Sequence, residues 1–106
     1  MNFYANPTTM RLDTYLKHTG LIKQRSVAKQ ACDKKQVVMV SVEPEKIAKA
    51  GQPVHIGERF RIELDNRRFQ IEVLEIPVRI PSRRERQRFF RLLDEQQIDP
   101  FSDLSF

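Results

Sequence analysis

Apolar residues recur at helical spacing through the first third of the chain and at strand spacing after residue 36. Leu12, Tyr15 and Leu16 stand at i, i+3 and i+4, the stripe of an amphipathic helix that begins near Arg11. Asp13 falls in its first turn, where the positive end of the helix dipole favours a carboxylate. Gly20 can supply the left-handed residue that ends it. After a link carrying Leu21 and Ile22, Ser26 is the expected N-cap of a second helix. Val27, Ala28, Ala31 and Cys32 then share one side, with Lys29, Gln30, Asp33 and Lys34 on the other. The small Ala28 and Ala31 allow close approach to a neighbour. The pattern predicts a helical pair with one apolar and one basic side.

The spacing then changes. Residues 37–42 form a β-branched, apolar run, and Val54 and Ile56 precede Gly57, an expected turn. Phe60, Ile62 and Leu64 alternate with Arg59, Arg61 and Glu63; Asp65-Asn66 suits a hairpin turn; Phe69, Ile71 and Val73 resume the alternation. Strands with one polar face imply a small, mostly antiparallel sheet backed by the helices. Pro77 and Pro81 mark a break. Ser82 and Glu85, three apart, read as a capping box and predict a third helix, whose Phe89, Phe90, Leu92 and Leu93 dock on the sheet. The expected class is α+β, with residues 1–10 a flexible leader, 11–76 the main domain, and 77–106 a C-terminal basic helix with an acidic tail.

Charge adds a direction to this outline. Nineteen Lys and Arg stand against 14 Asp and Glu, a formal net charge of +5, which favours a polyanionic partner. The charge is unevenly placed. Residues 11–35 carry Arg11, Lys17, Lys23, Arg25, Lys29, Lys34 and Lys35 against Asp13 and Asp33. Residues 79–91 carry Arg79, Arg83, Arg84, Arg86, Arg88 and Arg91 against Glu85 alone. Beyond Arg91 the tail is acidic, with Asp94, Glu95, Asp99 and Asp103.

The first basic segment is the better candidate for contact with RNA. A helix N-terminus offers amide donors and partial positive charge to a phosphate, and Ser26 would stand there between Arg25 and Lys29. Arg25 can bind phosphate bidentately, whereas Lys29 acts as a point charge. A rigid basic face of this kind reads the shape and backbone of folded RNA rather than its base sequence. The candidate RNA-binding residues are Arg11, Lys17, Lys23, Arg25, Ser26, Lys29, Lys34 and Lys35. Arg79, Arg83, Arg84, Arg86 and Arg88 are a secondary set, since a charge run is more often a solvated helix face.

Catalysis is not expected. His18 and His55 lack the context of a triad, a single cysteine with two scattered histidines is not a zinc site, and three glycines form no phosphate loop. No cofactor or metal is called for. Residues 1–10 lack the pattern of a signal peptide, and no apolar run approaches the ~18 residues of a membrane span. A cytoplasmic monomer without a membrane partner is the expectation. A competing class is a DNA-binding or protein-interaction module that uses the same helices, although a DNA reader would want polar base-reading residues where Val27 and Ala28 stand.

Arg11-Leu12-Asp13-Thr14-Tyr15-Leu16, with Lys23-Gln24-Arg25-Ser26-Val27-Ala28, resembles the RNA-binding domain of ribosomal protein S-four, the alpha-L motif. Val54-His55-Ile56-Gly57-Glu58-Arg59-Phe60-Arg61-Ile62 is similar to the motif's closing strand pattern. Leu21-Ile22-Lys23-Gln24-Arg25 and the strand from Val73 to Ile76 resemble the short stand-alone members, which comprise the bacterial fifteen-kilodalton heat-shock proteins and ribosome-quality-control factor P. The resemblance implies an S-four fold and binding to ribosomal RNA of large subunits that still carry a peptidyl-tRNA. For the quality-control members it further implies assistance to C-terminal alanine tailing, with a tailing factor as a possible partner. By position, it implies RNA contacts at Arg11 and Arg25. The chain departs from the usual glycine before the first strand, where it has Gln36, and from the usual Asn-Gly hairpin, where it has Ser41-Val42.

Overall fold

The first helix starts where the chain first reverses its polarity pattern. In the computed structural model, which describes residues 9–64 and 66–97, α1 spans Leu12–His18, with Arg11 in extended conformation at its N-cap. A seven-residue helix has little intrinsic stability. Its support comes from a loop: the Leu12 and Asp13 N–H groups donate to the carbonyls of Gln52 and Ala50 at 2.9 and 3.0 Å. Those donors are therefore occupied, and α1 offers no free N-terminus to an anion. At the other end Gly20 takes φ +77, as its glycine suggested.

The second helix, α2, spans Arg25–Asp33 and is capped by Gln24, not by Ser26. Ser26 is its second residue. The extended stretch ends two residues earlier than the Ser rule suggests because Ile22 is buried and pulls the link onto the core. The helix closes with Gln36 N–H donating to the Ala31 carbonyl and Lys35 N–H to the Cys32 carbonyl, while Lys35 itself is left-handed at φ +63. This is the Schellman arrangement, with lysine in the position glycine prefers.

Five strands form one antiparallel sheet in the order β2-β1-β3-β4-β5: β1 Val37–Met39, β2 Lys46–Ile47, β3 Arg59–Leu64, β4 Arg67–Val73 and β5 Phe90–Gln97. β1 is half the expected length, and β2 lies between the apolar runs that the alternation picked out, where no strand was expected. The register pairs Phe60 with Ile71 and Ile62 with Phe69 across β3 and β4. These side chains are buried beneath Leu12, Tyr15, Leu16, Ala28, Ala31 and Cys32 of the helices. Each large apolar side chain so buried contributes about 1.5–3 kcal/mol. Asn66, at φ +62, turns the β3–β4 hairpin.

The expected third helix is not formed. Half of the capping box is present, since Ser82 N–H donates to Glu85 Oε1 at 2.9 Å. It nucleates only the 3-10 turn Arg86–Arg88, after which the chain extends as β5. The outer edge of β4 decides this. Without β5 its backbone donors and acceptors would lack a partner strand, and sheet pairing overrides local propensity. A bulge between Gln70 and Ile71, opposite Asp94 and Leu92, passes Leu93 as an extra residue. Of the apolar set, Phe89 is buried and Phe90 packs partly, but Leu92 and Leu93 are exposed. Residues 1–8 and the tail beyond 97, including Asp99 and Asp103, lie outside the described residues.

Candidate nucleic-acid interface

At the centre of the basic helical face is a buried acid. Asp13 is 1% exposed, yet it carries a carboxylate on the second residue of α1. Arg11 binds it with two parallel bonds, Nε to Oδ1 and Nη2 to Oδ2, both 3.1 Å. Arg25, at the start of α2, donates Nε–H to Oδ2 at 3.4 Å. The Thr14 hydroxyl adds a bond to Oδ1 at 3.4 Å. Burial pushes the Asp13 carboxyl upward, but the Arg11 bonds and charge, with the charge of Arg25, outweigh it and hold the group below its ordinary value. The acid stays ionised and ties the N-termini of both helices together.

The arginines themselves remain about half exposed, 51% for Arg11 and 57% for Arg25. Their remaining donors differ. Arg11 has given Nε and Nη2 to Asp13, and its Nη1 lies 3.5 Å from where a Cβ on Gly51 would be. Arg25 has given only Nε, which leaves both terminal nitrogens as an outward fork. Such a fork matches two oxygens of a phosphate. Arg11, Asp13, Arg25, Ser26 and Lys29 line a hollow of about 310 Å³. Among the described residues, no backbone carbonyl meets the N–H groups of Arg25 and Ser26. The hollow thus joins two arginines, a lysine and the free end of α2.

The other expected residues are distributed differently. Lys34 and Lys35 are exposed at the far end of α2 from Arg25. Lys17 is half-buried toward the end of α1, and Lys23 is exposed on the link, beside a second groove that includes Arg67. In the later segment, Arg83 and Arg84 are exposed and have no ion pair among the described residues. Arg88 reaches Glu75 at 3.6 Å and lies over the Phe89 ring. Arg79 and Arg88 both face Glu85, whose carboxyl is held below its ordinary range first by the Ser82 backbone N–H. Arg86 is half-buried against Gly20, with its Nε fully enclosed. It packs the 3-10 turn on the end of α1, a structural role at odds with a free RNA contact.

Sequence reasoning gave Asp13 only a helix-dipole role and missed its bridging one. The signal was the acid in Arg-Leu-Asp, two residues after Arg11 and three before the apolar Leu16. Cys32 is buried, and burial pushes its thiol up to about 11, so it is unreactive near neutrality. Among the described residues no group of three or more His, Cys, Asp or Glu could hold a metal ion, and no helix is long and apolar enough to cross a membrane.

Comparison with known proteins bears on this face. No family model matches the chain. It is 33% identical over 67 residues to the RQC P-site tRNA stabilizing factor of Streptococcus pneumoniae, covering 63% of this chain and 72% of that protein. Over 55 residues it is 44% identical to the protein of the same name from Listeria innocua, of which it covers 55%. Among solved structures it is similar to Vibrio cholerae heat shock protein 15, described as trimeric, with a TM-score of 0.70 and 23% identity over 79% of this chain and 81% of that one.

Proposed function

This chain belongs to the family of RQC P-site tRNA stabilizing factors, and from that premise we propose that it binds large ribosomal subunits carrying a stalled peptidyl-tRNA. On this reading it acts in ribosome-associated quality control and assists C-terminal alanine tailing of the trapped chain. Its site of action is then the cytoplasm. The relatives' name speaks of stabilising a tRNA in the P site, and the role is one of binding, with no chemical step assigned to any residue. The chain spans 72% of one relative and 55% of another, so the whole proteins' partners, a tailing factor among them, come to it as part of the proposal.

One observation carries the reading: two arginines from different helices are fixed on one buried carboxylate, with Lys29 and the end of α2 beside them. Fixing the side chains in advance removes part of the ordering cost that weakens surface contacts. Phosphates of a ribosomal RNA helix or of tRNA are the ligands such a cradle suits. Lys34, Lys35, Lys17 and Lys23 extend the basic field around it, and Arg83 and Arg84 are the members of the later segment left to add to it.

The test is binding to purified large subunits, with and without trapped peptidyl-tRNA, for wild type and Arg25→Ala across a salt series. Preference for the obstructed subunit, lost with Arg25 and accompanied by a salt slope shallower by about one unit, supports the reading. Equal, weak binding to subunits, tRNA and duplex DNA, indifferent to Arg25, would replace it with a generic DNA-binding or protein-interaction module.

A further inference from the structure

A second groove, separate from the arginine cradle, differs from it in chemistry. It runs between the α1–α2 link and the base of the β3–β4 hairpin and encloses about 420 Å³. That volume lies within the roughly 300–1,000 Å³ of sites that hold small organic ligands. Its floor is aliphatic: Leu21, Val27 and Leu64 pack against the core on one side and remain open on the other. Two cations line it, Lys23 on the link and Arg67 at the start of β4. Gln24 completes the rim, exposed and making no side-chain capping bond to α2, so its amide is unspent.

An apolar floor between two cations, with a free amide at the edge, is poorly matched to a duplex, whose bases are stacked inside. It matches an unpaired nucleotide. Sequence-specific contacts to RNA are made chiefly where bases are unstacked, so that a base can be splayed onto the protein surface while its edge takes hydrogen bonds. The groove and the cradle are separate hollows with no lining residue in common, and the turn that carries Gln24 and Arg25 links them. We propose that this groove seats one unpaired nucleotide of the bound RNA, its base on Leu21, Val27 and Leu64 and its phosphate between Lys23 and Arg67. The inference rests on the RNA-binding reading of the Arg11–Arg25 face. It adds a separate contact, which gives a preference for junctions between paired and unpaired RNA.

Arg67 is restrained by Glu95, whose Oε2 accepts from its Nη2 at 2.6 Å, and it lies over the Phe69 ring. The ion pair fixes the guanidinium on the groove wall but also competes with a phosphate. Glu95 therefore acts as a brake on this site.

The experiment measures affinity of the full chain, at fixed salt, for a blunt RNA hairpin and for the same hairpin with one unpaired 3′ nucleotide. The overhang is expected to bind about fivefold tighter, the bottom of the range for a base stacked on an aromatic ring, because this floor is aliphatic. Arg67→Gln reduces that ratio to about one, and Glu95→Gln raises it, with thermal melts checking that each variant is folded. Arg25→Ala weakens both RNAs and leaves the ratio intact. A 4-thiouridine in the unpaired position should crosslink to peptides carrying residues 21–27 or 64–67. Binding that depends on Arg25 but shows no preference, or adducts elsewhere, overturns the groove alone. Binding of neither RNA overturns the cradle with it.

Discussion

A carboxylate at 1% exposure is the least expected residue on a face meant for phosphate, and it is the one that organises it. Asp13→Asn keeps the size of the side chain but removes the charge that both arginines share. The expected loss of stability is about 1.5–3 kcal/mol, the range for hydrogen bonds to charged groups. RNA affinity should fall severalfold, although no positive charge is lost, because Arg11 and Arg25 are released into solvent. A neutral or tighter complex in a binding titration would show that the ion pairs merely occupy the arginines. The linkage has a definite sign. Asp13 has a lowered folded value, so its contribution is complete above the ordinary carboxylate value of 3.8 and disappears as the pH falls through the lower one. The stability gap between wild type and Asp13→Asn should therefore close in strongly acidic solution, as denaturant melts at several pH values will reveal. Lys35 makes a contrasting case. Its φ of +63 is strained for a residue with a Cβ. Lys35→Gly should stabilise the fold by roughly 0.5–1 kcal/mol, provided the end of α2 keeps its Schellman bonds.

At the level of elements, what could be read from sequence was what local chemistry decides. Leu12, Tyr15 and Leu16 specify α1, Gly20 its end, and the alternation around Phe60 and Phe69 the central hairpin. The failures share a cause: partners distant in sequence. β2 is two exposed residues held only by Val38 and Met39 of β1, and nothing in Lys46-Ile47 announces it. The helix expected from Ser82 gave way to β5 because the edge of β4 required a strand. That outcome makes a prediction at its own scale. If the Ser82–Glu85 contact were nucleating a helix, Glu85→Gln would weaken the C-terminal segment substantially. Here it serves one 3-10 turn on the surface, and the change should move the melting free energy by less than about 0.5 kcal/mol. Arg91→Pro should cost much more, about 2 kcal/mol or above, since proline removes a ladder donor opposite Glu72. Amide exchange should show protection at alternate residues between Phe90 and Asp94 in the wild type, those whose N–H faces β4; rapid exchange at all of them would contradict the strand. The site was legible in the same partial way. Arg11, Arg25 and Lys29 were found from charge and spacing and do converge, whereas Asp13's bridging role and Arg86's packing role depend on tertiary contacts that no local pattern contains.

For the whole molecule, a net charge of +5 understates how selectively positive charge is available. Several cations outside the helical pair and the groove are already matched: Arg61 with Glu45, Arg68 with Glu63 and Arg88 with Glu75. Such exposed pairs contribute about 0–1 kcal/mol to stability, but each sets a local charge near zero. The cradle is different, because Asp13 neutralises one charge among Arg11, Arg25 and Lys29 and leaves a surplus. Salt dependence turns this distinction into a measurement. Each phosphate neutralised on a duplex adds about 0.9 to the slope of log affinity against log salt. Arg25→Ala should therefore lower the slope by about one unit, and Lys29→Ala by a similar amount. Arg88→Ala, whose side chain already faces Glu75 and Glu85, should leave it almost unchanged. A uniform fall for every arginine removed would mean that RNA responds to the total charge of the molecule. A fall confined to the helical pair means that the fold, by pairing acids with the remaining arginines, has assigned the nucleic acid to one face.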